Sequence, residues 1–183
     1  TTRPLTGREV ARLADRRGHS GVLAVLNRLS EHGLVDRQEA GRSLLYTLNR
    51  EHLLAPAVQL LAGTRAELRR RIVETLEEWV ISPLHVSLFG SAARGDGDTA
   101  SDVDLFVVRT EGVLSENEQW RTQLDDLAIQ IRRWTGNHAG IADVGESELR
   151  GLESAQRPIL NELRKDAILL YGPSVDELLA VSV

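Results

Sequence analysis

The segment from Phe89 to Leu105 limits the possible folds more than any other part of the chain. It reads Phe89-Gly90-Ser91-Ala92-Ala93-Arg94-Gly95, a polar loop, then Ser101-Asp102-Val103-Asp104-Leu105. One apolar run ends in Gly-Ser, and a second opens on two aspartates. Gly90 lets the backbone approach a ligand closely, because no side chain stands in the way. Ser91 adds a hydroxyl, and the amides of the turn after it can face an anion, as at a helix N-terminus. Asp102 and Asp104 are two apart on a predicted strand, so both carboxylates point to one face. Two like charges held together are costly unless a cation lies between them. Ligation by oxygen alone, without His or Cys, points to magnesium, which binds through one or two carboxylates plus substrate phosphates. Singly, Gly-Ser reads as a turn and Asp-x-Asp as a solvated pair. The combination, with ten residues between Ser91 and Asp102 and Arg-Gly inside the gap, carries the weight.

The patterning around this segment is mixed α/β. Strands are predicted at 85–89, 103–108, 139–144 and 167–171, with helices at about 116–135, 147–153 and 157–165 between them. Upstream, Thr64 and Glu67 have the form of a capping box, and Leu68, Ile72, Leu76 and Trp79 line one face of the helix that follows. Residues 51–61 read as a short apolar helix broken near Gly63. The first fifty residues read differently. Thr6 with Glu9 opens a helix to about residue 14, and Ser20 caps a second, with Val22, Leu23, Val25, Leu26 and Leu29 as its apolar stripe. A hairpin follows at 34–39 and 43–48, turning at Ala40-Gly41-Arg42. The division expected is 1–50, a connecting helix at 51–63, and 64–183.

Charge separates the same two parts. Residues 1–50 hold nine arginines against five acids, a net of +4, which leaves −9 for the rest of a chain whose total is −5. A basic unit joined to an acidic one suits two tasks, meeting a polyanion and holding cations with carboxylates. Cysteine is absent, which excludes disulfides, thiolate zinc sites and a thiol nucleophile, and fits a cytoplasmic setting. The five histidines are scattered, without zinc spacing. No apolar run has the roughly 18 residues of a membrane span. The first residues do not read as a signal peptide, and a sequence opening inside a helical unit is expected to continue upstream. Arg69-Arg70-Arg71 reads as one turn of a solvated helix, the three tryptophans as core, and Tyr46 as packing under the hairpin.

Gly90-Ser91, Arg94-Gly95 and Asp102-x-Asp104 together resemble the signature of the polymerase-β-like nucleotidyltransferases, especially their minimal bacterial branch. The resemblance runs from about residue 64 to Gly172 and includes the closing "AILLYG". It implies that Gly90 and Ser91 hold the triphosphate of a nucleoside triphosphate, with Arg94 touching phosphate. It implies two magnesium ions on Asp102 and Asp104, and a third carboxylate on a later strand. Asp143, in "HAGIADVG", matches that position best, with Glu146 and Glu148 as rivals. The implied reaction moves a nucleoside monophosphate, AMP by preference, to a protein or RNA acceptor, in some relatives within a toxin–antitoxin pair.

"LTGREVARLA", "HSGVLAVLNRLSEHGLV" and "GRSLLYTLN" resemble the winged helix-turn-helix domains of bacterial repressors. That resemblance implies DNA contact through Arg17, Ser20, Asn27 and Arg28 around the second helix and Arg42 at the wing tip. The competing role is protein docking or dimerisation, which leaves a homodimer open. The fold class expected is therefore α/β (α+β), a winged helix-turn-helix followed by a nucleotidyltransferase domain with a small mixed sheet and flanking helices. Two other functions compete, a DNA-binding regulator that senses nucleotide and an enzyme modifying a small molecule of the aminoglycoside type.

Overall fold

A computed structural model describes residues 3–14, 19–94 and 101–180 of the chain. It divides into two compact units, Thr1–Thr64 and Arg65–Val183. Among the described residues no helix is long and apolar enough to cross a membrane.

The first unit begins with β1 (Leu5–Thr6), α1 (Gly7–Leu13), α2 (His19–Glu31), β2 (Val35–Ala40) and β3 (Ser43–Leu48). The capping box expected at Thr6 forms. Its hydroxyl accepts from the Glu9 amide at 3.2 Å, and the Glu9 carboxylate accepts from the Thr6 amide at 2.8 Å. β2 and β3 pair antiparallel through Val35↔Leu48 to Ala40↔Ser43, and β1 adds to the far side of β3. Leu5, Ala11, Leu26 and Tyr46 are buried in this unit. The helix α3 (Ala55–Ala62) starts four residues later than its apolar pattern suggests. Pro56 stands in its first turn, and a proline there cannot continue a helix from upstream.

In the second unit α4 (Thr64–Glu77) leads into β4 (His85–Phe89), the short α5 (Gly90–Arg94) and β5 (Val103–Arg109). Then follow α6 (Glu118–Thr135), β6 (Ala139–Gly145), α7 (Glu146–Ser154), α8 (Pro158–Asp166), β7 (Ile168–Tyr171) and α9 (Val175–Ala180). The capping box expected at Thr64 does not form. The Thr64 hydroxyl donates back to the Leu61 carbonyl at 3.0 Å, and Glu67 is taken by Arg70 and Arg71.

The sheet order is β6-β5-β4-β7. β4 is antiparallel to β5 and β7, while β5 and β6 run parallel, with α6 as their crossover. Strand alternation sends side chains to two layers. Val103, Leu105 and Val107 pack with Val86 and Leu88 against Ile72, Leu76, Trp120, Leu127 and Ile131 of α4 and α6. Phe106 and Val108 face the other way, against Leu149, Leu160, Leu163 and Val175 of α7, α8 and α9. Trp120 is fully buried and meets Trp79 edge-on, with ring centroids 5.4 Å apart. Helices on both faces make this a three-layer unit.

Candidate active site

Asp104 stands on the α8 face of β5, because alternation groups it with Phe106 and Val108. Its carboxylate is half-buried, while that of Asp102, just before the strand, is exposed. The antiparallel register sets Asp104 opposite Phe89, so the Gly90-Ser91 turn follows directly beside it. Gly90 has φ +67, a conformation that L side chains rarely adopt, and a Cβ there would run into Asp104 Oδ2. On the other flank, Gly140 of β6 is the register partner of Asp104, and a Cβ there would lie 2.8 Å from Oδ1. Two glycines thus leave room for the carboxylate between them.

Burial, first, and then the charges of Asp102 and Glu162 push the Asp104 carboxyl above its ordinary value, and Arg94 pulls it back. The fold therefore holds negative charge here at a cost, which a cation would relieve. Among the described residues no three acidic or histidine side chains already converge on one point. Two aspartates beside a Gly-Ser turn still suit magnesium, whose remaining positions go to phosphates and water. Ser91 is partly buried on α5, and Arg94, at its end, is exposed.

Asp143 does not join this group, which corrects the sequence expectation. Its strand does lie beside β5, but its register partner is Val107, three residues from Asp104. That is about 10 Å along the strand, and an odd offset puts the side chain on the opposite face. There Asp143 Oδ2 pairs with Arg109 Nη1 at 2.6 Å and accepts from Trp120 Nε1 at 3.3 Å. Arg109 also reaches Glu148 at 2.7 Å. The rivals are engaged too, since Glu148 Oε2 accepts from the Gly145 amide and Glu146 pairs with Arg150.

Of the side chains proposed for DNA contact, Ser20, Asn27 and Arg28 are exposed along α2 and Arg42 is exposed at the β2–β3 turn. Asn27 Oδ1 accepts from the Tyr46 hydroxyl at 3.4 Å. Arg17 lies outside the described residues.

A family model for the nucleotidyltransferase domain matches residues 69–166, more than half of the chain, from within α4 to the end of α8. The chain belongs to the nucleotidyltransferase domain family. It is thereby an enzyme of the nucleotidyltransferase type, with a nucleotide as substrate. No curated protein matches the chain. Among solved structures it is similar to a toxin–antitoxin complex with AMP-PNP, at 22% identity over 62% of this chain and 81% of that one, with a TM-score of 0.43. A mutant of the toxin–antitoxin pair MntA-HpeT matches at 19% identity over the same shares, also with a TM-score of 0.43.

Two nearby residues escaped the sequence. Gly140 matters only through its register with Asp104, which no local pattern encodes. Glu162, a lone acid on an amphipathic helix, reads as a solvated residue until α8 is placed over the sheet.

Proposed function

We propose that this enzyme is magnesium-dependent and moves a nucleoside monophosphate from a nucleoside triphosphate, ATP by preference, to a hydroxyl on a protein or RNA. Gly90 and Ser91 bind the β- and γ-phosphates, Arg94 adds positive charge to them, and Asp102 and Asp104 hold the metal. When bound, two magnesium ions supply charge neutralisation at the attacking and leaving oxygens. Positioning and electrostatics then give most of the rate, as in phosphoryl transfer generally. The observation that carries this reading is the contact between the two halves of the motif, with Gly90 fitted directly against the Asp104 carboxylate. Radiolabelled nucleoside triphosphates with magnesium should label an acceptor or the protein itself, and Asp102→Asn and Asp104→Asn should remove the label. Full labelling by both variants would sink the assignment.

The resemblance to the minimal branch is what points to a toxin–antitoxin setting. In that setting a small protein encoded beside this chain should be the labelled acceptor. The first unit we read as a winged helix that meets DNA, because Ser20, Asn27, Arg28 and Arg42 are exposed on its second helix and at the hairpin turn. Affinity should fall steeply with salt, and Arg28→Ala/Arg42→Ala should weaken it. Unchanged affinity in that variant would favour protein docking.

A further inference from the structure

We propose that Ser87 and His85 on β4 form a second reactive site, a hydroxyl nucleophile with its base, which cleaves short-chain esters. The site is separate from nucleotidyl transfer and does not depend on it. β4 is buried from His85 to Leu88. Val86 and Leu88 join the apolar layer against α4 and α6, while Ser87, opposite Phe106 in the register, turns with His85 to the α8 side. Polar side chains in such a place are costly unless they are bonded. His85 Nε2 lies 2.9 Å from Ser87 Oγ, and His85 Nδ1 lies 2.7 Å from the Pro173 carbonyl. A carbonyl only accepts, so Nδ1 carries the ring proton and donates it. Burial favours the neutral ring. Nε2 is then bare, and it accepts from the Ser87 hydroxyl. A base within reach of the hydroxyl, with its tautomer fixed by a third group, is what activates a serine. The ring is also held by Phe106, which it meets edge-on at 6.1 Å between centroids.

A pair that only satisfied the core would be sealed by its neighbours. Here both residues line a cavity of about 190 Å³. Leu163 and Ala167 give it apolar walls, and it reaches the surface where Leu169 and Asp176 are exposed. At roughly 30 Å³ for each water, the space equals about six waters. That suits an acetyl or propionyl ester and excludes a long acyl chain. Arg164 lines the same cavity, fixed by Asp176 at 2.7 Å, and its positive charge favours a substrate whose carbonyl oxygen becomes negative.

The reaction runs in two halves. Ser87 Oγ adds to the ester carbonyl carbon while its proton passes to His85 Nε2. The adduct expels the alcohol oxygen, which takes that proton, and an acyl ester of Ser87 remains. Water then adds to this ester and gives a proton to Nε2. Ser87 leaves with that proton as the carboxylic acid is released. Throughout, Nδ1 keeps its own proton on the Pro173 carbonyl.

The test uses the whole chain and two probes, a short alkyl fluorophosphonate and p-nitrophenyl acetate, with thermal unfolding of every variant. The fluorophosphonate should add once per chain, with loss of fluoride, and peptide mass mapping should place it on Ser87. Ser87→Ala should lose that adduct, together with the p-nitrophenol released above the buffer rate. His85→Gln should slow the labelling by at least about 10²-fold. Ala167→Leu fills the cavity without touching the pair, and it should slow labelling by about 10-fold or more. A folded parent that is not labelled at Ser87 overturns the proposal. So does parental labelling in a folded His85→Gln. If that variant does not fold, Ala167→Leu decides, and parental labelling there overturns the proposal. Neither probe needs magnesium or ATP, so a failure here leaves the nucleotidyl-transfer reading where it stands.

Discussion

At its first end β5 carries Asp104, next to Asp102 and between two glycines. At its other end, Arg109 is buried and holds Asp143 and Glu148 at 2.6 and 2.7 Å. Both ends place charge in or near the core of one unit. At the Arg109 end the protein compensates the charge itself, and the result is structural. At the Asp104 end burial and the charges of Asp102 and Glu162 outweigh the pull of Arg94, so negative charge is held there at a cost. A carboxylate lacking its partner is thus a better pointer to chemistry than one that is buried and satisfied.

The sharpest way to break this comparison is to remove the charge at the first end. Asp104→Asn should lower transfer by at least about 10²–10³-fold, while its melting temperature in the absence of metal should rise. The uncharged amide escapes the burial and repulsion that the carboxylate suffers. A variant that melts lower would mean the pair is held together by something other than a ligand.

The opposite outcome is expected at the second end. Arg109→Met should cost about 3 kcal/mol in a denaturation series, because it leaves the half-buried Asp143 without its partner. The double variant Arg109→Met/Asp143→Leu should regain most of that loss. Transfer per folded molecule should stay near normal in both, and a selective collapse of kcat would return Asp143 to the catalytic group.

Gly140→Ala probes the space around Asp104 without touching charge. A methyl 2.8 Å from Oδ1 forces the carboxylate to shift, and transfer should drop by about 10- to 100-fold. An unaffected rate would show that Asp104 has freedom to adjust.

The smallest effect concerns His85, a buried group whose neutral form is the favoured one. Its Nδ1 lies 2.7 Å from the Pro173 carbonyl and its Nε2 2.9 Å from Ser87 Oγ. Burial lowers it below its ordinary value of 6.5. The folded state therefore binds this proton less readily than the unfolded chain. The stability that follows is complete above pH 6.5 and is lost as pH falls through the lowered folded value. Denaturation midpoints should drop between pH 7.5 and pH 5, and His85→Gln should flatten that slope. An equal slope in the variant would assign the pH dependence to the carboxylates.

Much of the second unit was legible because its signals are local. Residues 85–89 form the strand expected, and the apolar stripe of Leu68, Ile72, Leu76 and Trp79 faces the core. The remaining strand and helix limits shift by one or two residues. Where local signals competed with neighbours, they lost. Thr64 turned to the Leu61 carbonyl once α3 ran almost directly into α4, and Glu67 went to two arginines. The elements α5, α9 and β1 are six residues or fewer, too short for a periodic pattern to register.

The sequence by itself determined the Gly-Ser turn and the aspartate pair, because a turn and a two-residue alternation are properties of adjacent residues. It determined the family for the same reason. That Asp143 does not stand beside Asp104 was decided only in three dimensions. The parallel register of β6 against β5 sets Gly140, and not Asp143, beside Asp104, and a shift of one residue would have reversed every face. Arg109, drawn to the far end of the same strand, then claims Asp143. Pairings such as that of Asp104 with Gly140 join residues 36 positions apart in the chain. They are set by the packing of whole elements, which no window of sequence contains.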